Sequence, residues 1–186
     1  LTAIRDGKSV NTSMGLAPLG GIMMGTRSGD IDPTVVFYMA KKLGASWDEM
    51  DTYLNKRSGM LGVSGISSDA RDIEAAYKEN DPRAILTINL YVNRMINVLG
   101  GYYTELGHVD AIVFTAGLGE NDANMREKIL KKSEEALGLS IDYDLNSKAH
   151  GEEVKISKDD SEIAVYVIPT NEELVIARDT VRLLGL

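Results

Sequence analysis

Two Asp-Pro pairs, Asp32-Pro33 and Asp81-Pro82, constrain the fold of this chain more than any other feature. Asp is a strong helix N-cap, and Pro fits the first helical position because its missing N–H is one that a helix start leaves unpaired anyway. From Asp81-Pro82 onward Ile85, Ile88, Val92, Met95, Ile96 and Leu99 recur at helical spacing, which predicts the longest helix of the chain. Gly100-Gly101 falls inside that pattern, where each Gly costs roughly 1 kcal/mol relative to Ala. A kink or a close approach by another helix is the expected reason. From Asp32-Pro33 a helix is expected to run to Gly44, and Ser46 with Glu49 has capping-box spacing for a second, ending near Lys56. Ser68-Asp69 opens a short helix to about Glu79. Residues 14–29 read as a long ordered loop, and 58–67 as a loop punctuated by Gly.

Strands are interleaved with these helices. Leu1 to Arg5 and Ser9 to Thr12 flank Asp6-Gly7-Lys8, a tight-turn signal, and read as a hairpin. Val109 to Ala116 reads as a short buried strand. A helix carrying Met125, Ile129, Leu130 and Leu137 on one face follows it. Residues 152–156 and 162–169 read as two more strands. Thr170 and Glu173 have capping-box spacing for a final helix, with Leu174, Ala177, Val181 and Leu184 expected to face inward. Alternating strands and helices predict an α/β fold with a mixed sheet. With no repeat or linker, 1–186 reads as one domain. The opening in mid-strand without Met is read as a sign that something precedes Leu1.

Composition narrows the chemistry. The chain has 186 residues, 44% hydrophobic and 26% charged, and a formal net charge of −8. Lys and Arg form no concentrated block, which argues against nucleic acid or an anionic membrane as a partner. No apolar run approaches the roughly 20 residues of a membrane span, and no signal peptide heads the sequence. Cysteine is absent, so there is neither a disulfide framework nor a thiolate metal site. The cytoplasm is the compartment these features fit. His108 and His150 are the only histidines, and neither has a second His nearby. A Ser-His-Asp hydrolase and a His-ligated zinc enzyme are poorly supported.

Four polar clusters remain. Gly25-Thr26-Arg27-Ser28-Gly29-Asp30 presents a guanidinium in a Gly- and Ser-rich setting with no amphipathic stripe to hold it. Its planar donor fork matches phosphate or carboxylate, and charge on a transferring phosphoryl group is a suitable target. Asp30 either orients Arg27 or caps a turn, and the turn is the preferred reading. Asp69 and Arg71 read as a helix cap beside a solvated Arg, or as partners of a ribose and a purine. Gly117, Leu118, Gly119, Glu120 and Asn121 join a strand to a helix, either as a structural turn or as a nucleotide loop whose backbone N–H groups approach an anion. A Rossmann fingerprint would need a third Gly that the following residues do not supply. Glu172 is the metal candidate, a carboxylate at a strand-to-helix junction, with a solvated helix-start Glu as its rival. Asn89, Asn93 and Asn97 form a polar stripe on the long helix, suited to packing or an interface.

Taken together, Asn11-Thr12-Ser13-Met14-Gly15, Met23-Met24-Gly25-Thr26-Arg27-Ser28-Gly29-Asp30, Thr115-Ala116-Gly117-Leu118-Gly119-Glu120-Asn121 and Ile168-Pro169-Thr170-Asn171-Glu172-Glu173-Leu174 resemble the acetate kinase family (acetate/propionate kinases) in order and spacing. The resemblance covers essentially the whole chain and matches the C-terminal half of that family. It implies a ribonuclease-H-like domain of the actin and hexokinase superfamily, with its first strand truncated here. The implied activity is reversible transfer of the ATP γ-phosphoryl to acetate, giving acetyl phosphate and ADP, with Mg²⁺ as cofactor. By the same resemblance Arg27 stabilises the phosphoryl group in flight and Glu172 is the Mg²⁺ carboxylate. Asp69 and Arg71 contact the nucleoside, and Gly117 to Asn121 surround adenosine and phosphates. The implied partners are an adenine nucleotide, a short-chain carboxylate and a second copy, as a homodimer through the C-terminal domain.

Departures from the family pattern limit the expectation. A His-Leu-Gly-Asn-Gly phosphate loop is expected ahead of Leu1. The family's catalytic Asp, phosphate-positioning His residues, second Arg and acyl-pocket wall belong to an N-terminal domain that this sequence lacks. Gly20 stands where Glu is expected. The chain is therefore expected to be inactive alone. Propionate or butyrate kinase is the alternative within enzymes, and a non-catalytic nucleotide-binding or dimerisation module is the alternative outside them.

Overall fold

In the computed structural model, which describes residues 1–185, Asp6 and Gly7 both take positive φ, 52° and 71°. That is what a two-residue type I′ turn requires, because its twist matches that of the strands it joins. The turn closes the expected hairpin of β1 (Thr2–Arg5) and β2 (Lys8–Thr12), antiparallel with a register shift between Ala3 and Ile4. Only Ala3 of the hairpin is buried.

The chain forms two compact units, Leu1–His108 and Val109–Leu186. In the first, α1 (Pro33–Leu43) starts on the Asp32 cap and ends at Gly44 in the left-handed region, as the Asp-Pro reading requires. Ser46 and Glu49 form the expected capping box of α2 (Trp47–Lys56). Residues 58–67 depart from the loop expectation, because Gly59–Ser64 forms a short helix, α3. Its start has no side-chain cap. Instead, the N–H groups of Met60 and Leu61 donate to the carbonyls of Met24 and Gly25 at 2.9 Å each, so tertiary contacts and not local signals make this helix. Asp69 caps α4 (Ala70–Lys78), and Asp81 caps α5 (Pro82–Leu106).

Helix α5 buries Ala84, Thr87, Ile88, Tyr91 and Val92, an unbroken stripe at i, i+3, i+4 spacing that packs on α3 and α4. Past Val92 none of its residues is buried. The helix runs through Gly100 and Gly101, and a Cβ at either would meet no atom of the described residues within 4 Å beyond the helix's own backbone. The expected close approach is thus absent among the described residues. Arg5 donates to the carbonyls of Glu105 and Leu106 at 3.0 and 3.2 Å, capping the C-terminal end of α5 with the hairpin.

In the second unit β3 (Ala111–Phe114), β4 (Val154–Lys155) and β5 (Ala164–Val167) form a sheet in the order β3-β5-β4. The β3–β5 pair is parallel and the β4–β5 pair antiparallel, so the α/β class with a mixed sheet is as expected. Central β5 buries Val165 and Val167 completely. Helices α6 (Ala116–Asn121), α7 (Ala123–Leu137), α8 (Tyr143–Lys148) and α9 (Glu172–Leu184) accompany the sheet. Met125, Ile129, Leu130 and Leu137 of α7 are buried as the periodicity predicts.

Two expectations about the last helix are corrected. Its N-cap is Asn171, which accepts from the Leu174 N–H, so Glu173 is the second helical residue and not the third of a capping box. Its apolar residues do not face inward: no residue of α9 is buried, and Leu174, Val181 and Leu184 are 41%, 47% and 66% exposed.

Candidate active site

Arg27 sits at the tip of a loop that backbone bonds pin on both sides. Thr26 and Ser28 bind the end of α2 and its following residues, through Thr26 Oγ1 to Asn55 O at 2.8 Å, Ser58 N to Thr26 O at 3.0 Å and Ser28 N to Leu54 O at 3.0 Å. Gly59 makes the approach of α3 possible. It lies at φ 61°, and a Cβ there would fall 2.1 Å from Met24 O and 2.6 Å from Arg27 O. Within this frame the half-buried Arg27 guanidinium has one hydrogen-bond contact among the described residues, the weakly accepting Met24 Sδ at 3.5 Å. Asp30 does not pair with it. That carboxylate accepts from Gly21 N at 2.6 Å, nine residues back, and ion-pairs with Arg94 of α5 at 3.1 Å, so Asp30 neither orients Arg27 nor caps a local turn but ties the loop to itself and to α5. A Cβ on Gly20 would lie 3.4 Å from Asp30 Oδ1, so an acidic residue there would meet an acidic neighbour.

Asp69 and Arg71 engage each other. Asp69 caps α4 by accepting the Arg71 N–H at 2.9 Å, and the Arg71 fork returns to the same carboxylate through Nε at 3.0 Å and Nη2 at 2.5 Å. These bonds to Arg71 hold the exposed Asp69 carboxyl down to about 2. A nucleoside contacting either residue would meet the pair as a unit.

In the second unit the parallel strands β3 and β5 end side by side, and the segments leaving them are laced together. Thr115 Oγ1 and Thr170 Oγ1 are 2.7 Å apart. Glu120 reaches back from α6, and one of its carboxylate oxygens accepts from both Ala116 N and Thr170 N at 2.6 Å. The Thr170 bonds, chiefly, lower the Glu120 pKa. Ala116 is held at φ 56°, a left-handed conformation costing about 1 kcal/mol for a residue with a Cβ. Loops at the carboxyl ends of neighbouring parallel strands are where open α/β sheets hold ligands.

The Gly-Leu-Gly segment is helical and not an open turn, since Gly117 to Asn121 lie in α6. Six residues are too few for a dipole argument, so any anion would be met by individual N–H groups. The two glycines differ in kind. A Cβ on Gly119 would crowd Phe114 C at 3.2 Å, whereas one on Gly117 would meet nothing among the described residues within 4 Å beyond its own helix backbone. Packing therefore accounts for Gly119 but leaves Gly117 open to an approaching ligand. Asn121 Nδ2 closes onto Gly117 O at 2.9 Å. Leu118 contributes its carbonyl to Asp122 N at 3.1 Å.

The sequence reading missed Arg126, which is 1% exposed and donates to Gly119 O and Glu120 O at 2.9 Å each. Its only advance signal was an Arg among the buried positions of the α7 periodicity. Glu172, exposed, is the first residue of α9. No group of three or more His, Asp or Glu residues suited to a metal occurs among the described residues.

The Acetokinase family model matches residues 1–178. The chain belongs to that family. It is 52% identical over 183 residues to an acetate kinase from Finegoldia magna, covering 98% of this chain and 46% of the relative. The crystal structure of Porphyromonas gingivalis acetate kinase superposes with a TM-score of 0.92 at 43% identity, covering 98% of this chain and 46% of that one. A propionate kinase from Francisella tularensis gives 0.87 at 43% identity, covering 95% and 44%. The chain thus spans about half the length of the family members it matches. No helix among the described residues is long and apolar enough to cross a membrane.

Proposed function

We propose that this chain is the C-terminal, nucleotide-binding half of a cytoplasmic acetate kinase. The enzyme moves the γ-phosphoryl of ATP onto acetate: a carboxylate oxygen forms the new O–P bond as the bond to the β-phosphate oxygen breaks, and the reverse makes ATP. The observation that carries this reading is the state of Arg27. A loop tied to α2 and α3 holds a guanidinium whose one hydrogen-bond contact among the described residues is a thioether. A charge fixed in place and left without a carboxylate suits charge that develops elsewhere, on a phosphoryl group passing between oxygens.

The other residues divide the work. Asp69 and Arg71, as a bidentate pair, contact the nucleoside. Gly117, Leu118, Gly119, Glu120 and Asn121 contact adenosine and phosphates, with Gly117 offering the open backbone. Glu120 serves by holding Ala116 and Thr170 in place. Glu172 would hold Mg²⁺. Its single exposed carboxylate fits an ion that usually takes one or two carboxylates and draws its other ligands from phosphates and water. When bound, the metal neutralises phosphate charge. The protein acts as a homodimer. The 186-residue chain alone has no measurable turnover, because positioning and electrostatics come from the whole protein.

The test is the full-length protein with ATP and acetate, propionate or butyrate, scored as acyl phosphate. Acetyl phosphate formation with acetate preferred supports the reading, and no acyl phosphate from any of the acids ends it. A preference for propionate would favour the second reading, which the likeness to the Francisella propionate kinase supports.

A further inference from the structure

Every N–H of the buried Arg126 guanidinium has an acceptor. Nε donates to Asn146 Oδ1 at 2.8 Å, one terminal nitrogen to Gly119 O and Glu120 O at 2.9 Å each, and the other to Asn146 O at 2.8 Å and Ala149 O at 3.1 Å. A guanidinium has five donors in one rigid plane, so its acceptors are fixed relative to one another. Gly119 O and Glu120 O are among the last carbonyls of α6, which the helix cannot satisfy itself. Asn146, fully buried on α8, completes the brace: its Nδ2 donates to Ala123 O, the first residue of α7, at 3.0 Å. None of these partners is a carboxylate. A side chain needed only to fill volume could be apolar at lower desolvation cost.

We propose that Arg126, braced by Asn146, is the positioning residue of the Gly117–Asn121 segment and sets how well that segment fits the nucleotide. The inference rests on the assignment of that segment to nucleotide binding. Lys at 126 would keep the charge and lose the fork. Ala at 146 would remove the acceptor for Nε and the tie to α7 but leave both α6 carbonyls paired. A nucleotide-positioning role therefore raises the nucleotide KM and spares the acetate KM, whereas general loosening moves both.

The experiment uses the full-length protein, unsubstituted and as Arg126→Lys and Asn146→Ala, with thermal unfolding recorded beside initial rates. Arg126→Lys is expected to raise the KM for ATP at least about tenfold and Asn146→Ala about threefold or more, the scale of one or two charge-assisted hydrogen bonds. The KM for acetate should stay within about twofold. A folded variant with an unchanged ATP KM, or with both KM values raised alike, overturns the proposal. Should Arg126→Lys fail to fold, Asn146→Ala decides by the same criterion. Should both fail, the Arg126 Nε–H resonance of the unsubstituted protein decides: it must move on addition of ADP, and a stationary signal refutes the idea. No ATP-dependent acyl phosphate from the unsubstituted protein defeats the functional reading itself. An active parent with unaffected variants defeats this inference alone.

Discussion

The Glu120 carboxylate lies 2.6 Å from the backbone nitrogen of Thr170, and through that bond the segment leaving β3 is tied to the segment leaving β5. The same oxygen holds Ala116 N, so the left-handed Ala116 persists because its surroundings over-determine it. The bonds act only while Glu120 is ionised, and they lower its pKa below the ordinary 4.5. A depressed carboxylate pKa contributes stability that is present above the unfolded value and lost as pH falls through the folded one. The tie should therefore be intact from neutral pH down past 4.5 and release only below it. A ¹³C titration of the Glu120 carboxyl, read with the Thr170 amide shift, checks this. A midpoint above 4.5 contradicts it.

Gly117 and Gly119 should respond oppositely to the same substitution. Gly119→Ala presses a methyl against Phe114 and should destabilise the fold by about 1–3 kcal/mol, the range of overpacking. Gly117→Ala has open space and should leave the unfolding temperature unchanged or slightly raised, while weakening nucleotide binding by roughly tenfold in the full-length protein. Calorimetric scans beside nucleotide titrations separate the two. Unimpaired binding by Gly117→Ala would argue against that backbone as a ligand contact.

Much of the fold was legible because it rests on local chemistry. Asp32-Pro33, Asp81-Pro82 and the Ser46–Glu49 box mark helix starts by satisfying donors within a few residues, and Asp6-Gly7 sets a turn by its own torsions. The errors fall where partners are remote. Helix α3 exists because Met24 and Gly25 supply acceptors, and nothing within residues 58–67 announces that. Thr170 was mistaken for a cap because its true partners, Thr115, Ala116 and Glu120, lie at least 50 residues away. Arg126 leaves only a charged residue among the buried positions of α7 as its mark, because a fork that binds backbone carbonyls makes no side-chain motif. The inward-facing expectation for α9 followed from periodicity, which finds an apolar face but not what covers it.

The Arg27 loop should depend on Gly59 as much as on its own residues. Gly59→Ala combines a left-handed φ of 61° with contacts of 2.1 Å to Met24 O and 2.6 Å to Arg27 O. A cost of more than about 1 kcal/mol is expected, since Ala at positive φ loses more than Gly→Ala normally gains. Turnover of the full-length protein should fall with it although Gly59 offers no side chain to a substrate. Denaturant unfolding and steady-state rates test both. Unaltered stability would mean that α3 can shift without strain.

Arg27→Ala in the full-length protein should cut kcat by about a thousandfold and change ADP affinity by less than about tenfold, the pattern of an arginine acting on transferring phosphoryl charge. Arg27→Lys should recover only part of the loss, because an ammonium cannot present a planar fork. Parallel loss of kcat and ADP affinity would instead assign Arg27 to ground-state nucleotide binding and favour the non-catalytic alternative.

Gly100 and Gly101 test what the exposed end of α5 is for. Both lie inside a continuous helix, neither has positive φ, and beyond the helix's own backbone nothing among the described residues stands within 4 Å of an added Cβ. On backbone entropy alone each Gly→Ala change should stabilise the chain by about 0.5–1 kcal/mol. That gain should appear in urea unfolding of the 186-residue chain at low concentration, where only intrachain contacts count. If the full-length protein self-associates through the long helix, the same methyls should weaken that association as measured by sedimentation. A stabilised chain with undiminished self-association would place any subunit contact away from these glycines. A destabilised chain would mean that backbone entropy does not govern this turn of the helix.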